Sequence, residues 1–279
     1  MSSRRKPTPN NPNDLRQRIL DYFQTLRVPL SAADLDAVLA EAEKQRWTPL
    51  ELLAHLLGPQ ADLRRQRAID RRIREARFRE PATLEGFDWQ FNAQAIDRPQ
   101  IETLATGEFV RRGDNLVILG QSGVGKSHIV QAVGRAACAR GYRTRYITSA
   151  ELLQDLTACL ADHTLPERLR YYSNFDLLAV DEFGFDRIER SESSQAASLL
   201  YKVVDSRTKR STAMVTNISF EAWAEYLGDA PLAMAILDRV VDGAIVLKIE
   251  GRSYRASRLK RPLPHKDGRA AKELPQPTP

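Results

Sequence analysis

Residues 120–127 constrain the fold of this 279-residue chain more than any other segment. They read GQSGVGKS and fit the pattern G-x-x-x-x-G-K-[ST]. The apolar run 115–119 comes before them and predicts a buried parallel strand, and apolar residues at helical spacing follow from residue 129. A strand, a glycine-rich turn and a helix in this order predict a loop whose backbone N–H groups surround a polyanion.

The loop predicts a site for the phosphates of ATP together with Mg²⁺. Lys126 would reach the β- and γ-phosphates, and the hydroxyl of Ser127 would ligate the metal. A chance glycine turn before a helix is the alternative, and the flanking strand and helix disfavour it. The predicted nucleotide-binding residues of the loop are Gly120, Gln121, Ser122, Gly123, Val124, Gly125, Lys126 and Ser127.

Two acids end a second apolar run, at residues 177–180. Ligands of open α/β sheets bind beyond the carboxyl ends of the strands, so this position suits a metal site. We expect Asp181 to bind the nucleotide and to hold Mg²⁺ through water, and Glu182 to polarise the attacking water. An Asp-Glu pair at a solvated strand end would be weak evidence alone, but the loop upstream strengthens it.

Asn217 follows a third buried run, at residues 212–216. An amide at this strand tip would orient the attacking water. Alternatively, Asn217 merely opens the turn into the next helix. The spacing alone leaves both interpretations open.

Residues 14–80 predict a small all-helical N-terminal domain. Ser31 is placed to cap a second helix, and Thr48, followed by proline and then glutamate at residue 51, is placed to cap a third. The Gly-Pro pair at 58–59 predicts the end of that third helix.

An arginine-rich helix is predicted over residues 63–79, which hold eight arginines. Arg71 and Arg74 are our candidates for contact with DNA phosphates. A solvated connecting helix is an equally good interpretation. No aromatic ladder accompanies the arginines, so nothing here indicates sequence-specific reading of bases.

The basic residues are concentrated at the two ends of the chain. Residues 1–80 carry 16 Lys and Arg against 11 Asp and Glu, residues 81–251 carry 18 against 23, and residues 252–279 carry 8 against 2. Basic ends around an acidic middle suggest that the ends meet a polyanion. Residues 1–13 and 259–279 are rich in proline and polar residues, and we expect the first segment to be disordered and the second to be a flexible basic tail.

The composition, with 42% hydrophobic and 28% charged residues, is that of an ordinary globular protein. No apolar run is long enough for a transmembrane helix, so we expect no membrane contact and a cytoplasmic location. Only Cys138 and Cys159 occur, and both fall in predicted helices, which argues against a disulfide framework. The four histidines are scattered and indicate no metal site.

The chain resembles the IstB family of insertion-sequence ATP-binding proteins, relatives of DnaC-type helicase loaders in the AAA+ initiator clade. The resemblance runs from about residue 15 to residue 258. It implies an α/β fold: a P-loop NTPase of the AAA+ type, with a parallel sheet flanked by helices over residues 81–258. The segments that carry it are 42–57, 83–88, 176–184, 213–223, 235–239 and 251–255.

The resemblance also implies roles that spacing alone does not give. Asn217 would be the sensor at the strand tip, and Arg255 would touch the γ-phosphate. Arg239 would match the arginine finger, which completes the ATP site of a neighbouring subunit in a homo-oligomer. The helical insert at about 150–173 would line a DNA path, which makes Arg168 and Arg170 candidate contacts.

The resulting hypothesis is an ATPase that assembles on duplex DNA and assists a cognate transposase. A helicase loader is the main alternative, because it shares the ATPase core. A small-molecule kinase would share residues 120–127, although the acids at 181–182 and Arg239 argue against it. A DNA-binding protein that uses ATP only as a structural ligand is the third alternative.

Overall fold

The structure is a computed structural model that describes residues 12–185 and 190–259. Disorder is predicted for residues 1–13 and a flexible tail for residues 259–279, and of these residues 1–11 and 260–279 lie outside the described residues. Residues 12, 13 and 259, in contrast, lie in helices. The chain divides into two compact units, residues 1–71 and 72–279. The domain boundary that we predict at residue 80 stays a prediction.

The N-terminal unit is helical where it is described. Helix α1 spans Pro12–Thr25, α2 spans Ala32–Gln45, and α3 starts at Pro49 and continues past the unit's end to Ala76. Both predicted caps are confirmed. The Ser31 hydroxyl accepts from the backbone N–H of Asp34, and Thr48 donates to the Glu51 carboxylate from its N–H at 2.7 Å and its hydroxyl at 2.8 Å.

The predicted end of the third helix at Gly58-Pro59 is wrong. Helix α3 is a single helix of 28 residues that contains Pro59. A proline inside a helix removes one backbone hydrogen bond and costs about 3 kcal/mol. The leucines, alanines and arginines on both sides are good helix formers, which offsets that cost. Residues 63–76 of the arginine-rich segment thus form the C-terminal half of α3, whereas Arg77 and Arg79 follow the helix.

A five-stranded parallel sheet forms the centre of the second unit. The strand order is β2-β3-β4-β1-β5, so the first strand in sequence lies between the fourth and the fifth. The three apolar runs predicted as strands, at 115–119, 177–180 and 212–216, are confirmed as strands, within three residues at each end. The bounds are β1 Leu116–Gly120, β2 Thr144–Thr148, β3 Leu177–Phe183, β4 Ser211–Thr216 and β5 Ile245–Ile249.

Helices cover both faces of this sheet. Alternate residues of β1 enter two separate cores: Leu116 and Ile118 pack with Ile129 of α6, whereas Val117 lies in the cluster of α7, α9 and α11. The bounds are α4 Arg98–Ala105, α5 Glu108–Arg112, α6 Lys126–Ala139, α7 Ser149–Ala161, α8 Leu165–Ser173, α9 Arg190–Asp205, α10 Trp223–Leu227, α11 Ala230–Val241 and α12 Tyr254–Leu259.

The strand order brings three predicted site segments together. The carboxyl ends of β3, β4 and β1 are neighbours at one edge of the sheet. The acids at 181–182, Asn217 and the loop 120–127 stand at those three ends. Within the described ranges, none of the helices combines the length and the apolar character that a bilayer crossing requires.

Candidate nucleotide-binding site

A cavity of about 360 Å³ opens at this edge of the sheet. The loop after β1 forms one wall, and the ends of β3 and β4 form another. The segment 80–96 and the start of α12 complete it. Its charged and amide side chains include Lys126, Asp181, Glu182, Asn217 and Arg255.

Two glycines shape the loop into a cradle. Gly123 and Gly125 have φ angles of 84° and 103°, in the region that favours glycine. A β-carbon on Gly123 would lie 2.2 Å from the hydroxyl of Ser253, and one on Gly125 would lie 2.9 Å from the ring of Phe87. Side chains at these two positions would clash with their neighbours, so the backbone stays open to a phosphate.

Lys126 lies on the floor of the cradle, with only 9% of its surface exposed. Its ammonium donates to the carbonyl oxygens of Gly120 at 2.7 Å and Gln121 at 2.8 Å. Burial lowers the pKa of Lys126, and the nearby carboxylate of Asp181 partly opposes that shift. The ammonium is therefore held where phosphate oxygens could replace the carbonyls as its acceptors.

Asp181 is buried and held from both sides. One carboxylate oxygen accepts from the hydroxyl of Tyr146 at 2.7 Å, and the other accepts from the backbone N–H of Glu182 at 2.7 Å. Burial and the charge of Asp181 raise the pKa of Tyr146 far above its ordinary value. Tyr146 is thus a stable donor that fixes the orientation of the carboxylate.

The cavity provides hard oxygen donors of the kind that Mg²⁺ prefers. The Ser127 hydroxyl and the Asp181 carboxylate both line it. Proteins usually bind Mg²⁺ through one or two oxygen ligands, with substrate phosphates and water completing the shell. The absence, within the described ranges, of a cluster of three or more histidines, cysteines or acids is compatible with such a site.

Glu182 occupies a strained position. Its φ is +61°, and the register between β3 and β4 shifts between Val180 and Phe183. A left-handed backbone costs about 1–2 kcal/mol for a residue other than glycine. The side chain is exposed, and its carboxylate lies 3.4 Å from the guanidinium of Arg79. The same guanidinium contacts Glu151 at 2.9 Å.

The remaining two predicted groups reach the cavity from opposite sides. Asn217 follows β4 and lines the cavity. Its side chain lies close to Gly184, since a β-carbon added to that glycine would be 3.1 Å from the Asn217 side-chain oxygen. Arg255 belongs to α12, whose first N–H, at Tyr254, donates to the carbonyl of Gly123 at 2.9 Å. The C-terminal helix is thus bonded directly to the phosphate loop.

Aromatic side chains line another part of the cavity. From the sequence we expect the aromatic residues 87, 89 and 91 to pack in the core or between domains, and one of them is a candidate for lining the base pocket. Phe87 and Phe91 line the cavity, whereas Trp89 packs edge-on against Phe87 at 4.9 Å. Asn92, which no sequence pattern marks, also lines the cavity, and its side-chain amide forms hydrogen bonds with the backbone of Arg252.

Arg239 lies outside this cavity. It is on α11, where its Nε is 2.8 Å from the Asp205 carboxylate and its guanidinium lies 4.6 Å from the ring centre of Tyr201. The side chain is 39% exposed. Within one subunit, the structure therefore does not bring Arg239 to the predicted nucleotide.

The four arginines predicted to contact DNA occupy two helices. On α8, Arg168 is paired with Asp155 at 3.4 Å, and Arg170 is paired with Glu167 at 2.8 Å. Arg71 and Arg74 are exposed on α3. Arg168 lines a second cavity, whereas Arg170 points its charge at the surface, with a side chain that is 72% exposed. Cys138 and Cys159 are buried free thiols.

Comparison with known proteins identifies the family of the chain. The family profile described as IstB-like ATP binding protein matches residues 22–261. A protein named for ATP binding and for insertion sequence IS232, from Bacillus thuringiensis subsp. berliner, is 33% identical over 86% of this chain and 94% of its own length. A counterpart named for IS21, from Pseudomonas aeruginosa, is 33% identical over 79% of this chain and 82% of its own.

Among solved structures, AMPPCP-bound DnaA from Aquifex aeolicus superposes with a TM-score of 0.51 at 20% identity, over 66% of this chain and 56% of that one. This likeness concerns the fold, which is that of an AAA+ P-loop NTPase. The predicted fold class is confirmed. Together with the P-loop, the acids after β3 and the match over most of the length, these comparisons show that the chain belongs to the family of IstB-like ATP-binding proteins of insertion sequences.

Proposed function

We propose that the chain is an ATP-dependent DNA-binding helper of a transposase, which assembles as a homo-oligomer on duplex DNA. It would hydrolyse ATP to regulate transposition or the choice of target. One observation carries this proposal. Five polar groups suited to phosphate transfer line one cavity, while Arg239 lies outside that lining, as a residue that serves a neighbouring subunit would.

ATP would bind with its phosphates in the loop 120–127. The loop N–H groups and the start of α6 present positive partial charge, and Lys126 adds a full one. The base would lie toward Phe87 and Phe91, which supply apolar surface.

Ser127 and Asp181 would hold Mg²⁺ beside the phosphates. When bound, the metal neutralises the charge that develops on the transferred phosphoryl group. Tyr146 contributes by keeping the Asp181 carboxylate in one orientation.

Glu182 would accept a proton from the attacking water, and Asn217 would help to orient that water. Arg255 would contact the γ-phosphate from the same subunit. The ion pair between Glu182 and Arg79 has a functional consequence, because it holds the carboxylate against the guanidinium, where it is less free to accept from the attacking water.

Arg239 would complete the site of the next subunit. A guanidinium that arrives in trans adds positive charge where negative charge develops, which can accelerate turnover by about 10³-fold or more. ATP turnover would then require assembly. Because the subunits would assemble on DNA, DNA binding and ATP turnover would be coupled.

Two further features support the DNA and transposase parts of the proposal. Basic residues are concentrated in the two end segments of the chain, which suits contact with backbone phosphates. The two relatives described above are named for insertion sequences, elements that move by means of a transposase. A helicase loader would share the site, so recovery of a replicative helicase in place of a transposase with this chain would favour the loader.

The test compares Arg239→Ala with Asp205→Asn. We expect duplex DNA to raise ATP turnover and particle mass in the wild type. Arg239→Ala should reduce turnover at least 100-fold, by the reasoning for a guanidinium acting in trans, while ATP binding survives. Asp205→Asn breaks the same ion pair but keeps the guanidinium, so it should retain turnover.

Equal losses in the two variants would show that the ion pair itself matters, and would contradict a role in trans. Loss of ATP binding in Arg239→Ala would indicate a folding role. Turnover that needs a small acceptor and ignores DNA would favour a kinase. No turnover at all, with DNA present, would favour a structural role for ATP.

A further inference from the structure

A second cavity, of about 330 Å³, lies among β2, α7, α8 and the segment that follows α3. All of its lining residues belong to the second unit of the chain. Four arginines line it against two carboxylates, so the charge of the lining is positive. The charged residues are Arg77, Arg79, Arg145, Arg168, Glu151 and Asp155.

Arg145 is the unusual member of this set. Only 7% of its surface is exposed, and its Nε and Nη1 atoms are buried without a hydrogen-bond partner in the described part of the chain. A buried cation without an acceptor is costly, and buried polar groups are nearly always paired. Arg145 lines the cavity, so an anion bound there would lie beside this side chain and offset its charge.

The two carboxylates of the cavity already have partners. Asp155 accepts from the hydroxyl of Tyr172 at 2.7 Å and is paired with Arg168, and Glu151 accepts from Arg79. Neither carboxylate accepts a hydrogen bond from the Nε or Nη1 atom of Arg145. The cavity therefore keeps an unpaired positive charge.

Arg79 connects this cavity with the nucleotide site. It lines the second cavity, and its guanidinium contacts Glu182, which lines the first. The contact with Glu182, at 3.4 Å, is longer than the contact with Glu151, at 2.9 Å. An added anion near Arg79 would compete for it, and the longer contact is the easier one to break.

We propose that the second cavity binds a phosphate group, and that the bound phosphate draws Arg79 away from Glu182. Forked guanidinium groups suit a tetrahedral oxyanion. The binding part stands on the cavity alone. The coupling part rests on the proposed ATPase function, since a Glu182 carboxylate released from Arg79 is free to turn toward the attacking water. The phosphate would come from the DNA backbone or from inorganic phosphate, which share this chemistry.

The binding test uses thermal unfolding with inorganic phosphate, without nucleotide and at constant ionic strength. Lys126→Ala is present in every chain compared, so that the P-loop contributes little. Phosphate should raise the unfolding temperature of this chain, and adding Arg145→Gln should abolish that rise. Adding Arg170→Ala, a change of an exposed arginine on α8 outside the cavity, should leave it intact.

A rise that persists with Arg145→Gln, or no rise in the Lys126→Ala chain, would overturn the proposal. Removing a buried unpaired cation should not destabilise the chain without phosphate. If Arg145→Gln nevertheless fails to fold, Arg77→Gln replaces it, because Arg77 is exposed and its loss should weaken the same effect.

The coupling test measures ATP turnover with Arg79→Ala in an otherwise unchanged chain. Loss of the exposed ion pair should raise basal turnover roughly two- to fivefold and reduce further stimulation by the anion. Stimulation of the wild type by duplex DNA alone identifies the backbone as the source, and stimulation by phosphate alone identifies the free ion. Lower basal turnover in Arg79→Ala, or stimulation equal to that of the wild type, would overturn the coupling. Absence of turnover in the wild type would remove the proposed function and leave the binding test decisive.

Discussion

Asp181 and Glu182 are adjacent in sequence, but the structure treats them differently. Asp181 is 1% exposed and receives two hydrogen bonds, whereas Glu182 is exposed, left-handed and held by an ion pair. The register of β3 against β4 shifts between Val180 and Phe183, and the left-handed backbone of Glu182 lies within that irregularity. One acid is thereby fixed and the other can change partner.

Tyr146→Phe tests the fixed acid. It removes one hydrogen bond to the Asp181 carboxylate while keeping the ring that packs in the core. Outer-shell partners of metal ligands typically change metal affinity by about 10–100-fold. We therefore expect the Mg²⁺ concentration for half-maximal ATP turnover to rise about tenfold, with the maximal rate largely restored at high Mg²⁺. An unchanged Mg²⁺ dependence would show that Tyr146 only packs.

The residues of the site were predictable where the signal is local. The loop 120–127 and the acids after β3 each follow an apolar run, so their position at strand ends could be read from the sequence. The pair between Arg79 and Glu182 could not, because 103 residues separate them and neither has a local pattern. The unpaired guanidinium of Arg145, in strand β2, could not be predicted either, because its burial depends on elements that are distant in sequence.

At the scale of elements, α3 is where sequence and structure differ most. The Gly-Pro pair at 58–59 is a common helix end, yet the helix continues to Ala76. Such a pair stops a helix only if the flanking residues gain nothing by continuing, and here they are strong helix formers. A β-carbon at Gly58 would meet nothing within 4 Å, so no tertiary contact explains the glycine.

Pro59→Ala tests the continuity of α3. The substitution restores a backbone N–H that can donate to the carbonyl of His55, and alanine is the better helix former by about 3 kcal/mol. We expect slower amide hydrogen exchange around residues 56–63. Gly58→Ala is the matched control, since it raises helix propensity without adding a donor, and its effect should be smaller. Unchanged exchange in both variants would mean that the helix does break at the pair.

At the scale of the whole molecule, the site as we propose it would be incomplete within one chain. The loop, the two acids, Asn217 and Arg255 face one cavity, and Arg239 is held on another surface by Asp205. The account therefore predicts an ATPase that needs its own copies and that DNA assembles. The order of the parallel strands explains why one chain carries most of the site, because it places three strand ends side by side.

The most direct test of this account is single-turnover ATP hydrolysis on duplex DNA by the wild type and by Glu182→Gln, with ATP binding measured alongside. Glutamine keeps the shape of the side chain and removes the base. We expect ATP binding to stay within about twofold and hydrolysis to fall about 10²–10⁴-fold, the usual contribution of a general base. Hydrolysis by Glu182→Gln at the wild-type rate, or no hydrolysis by the wild type, would contradict the account.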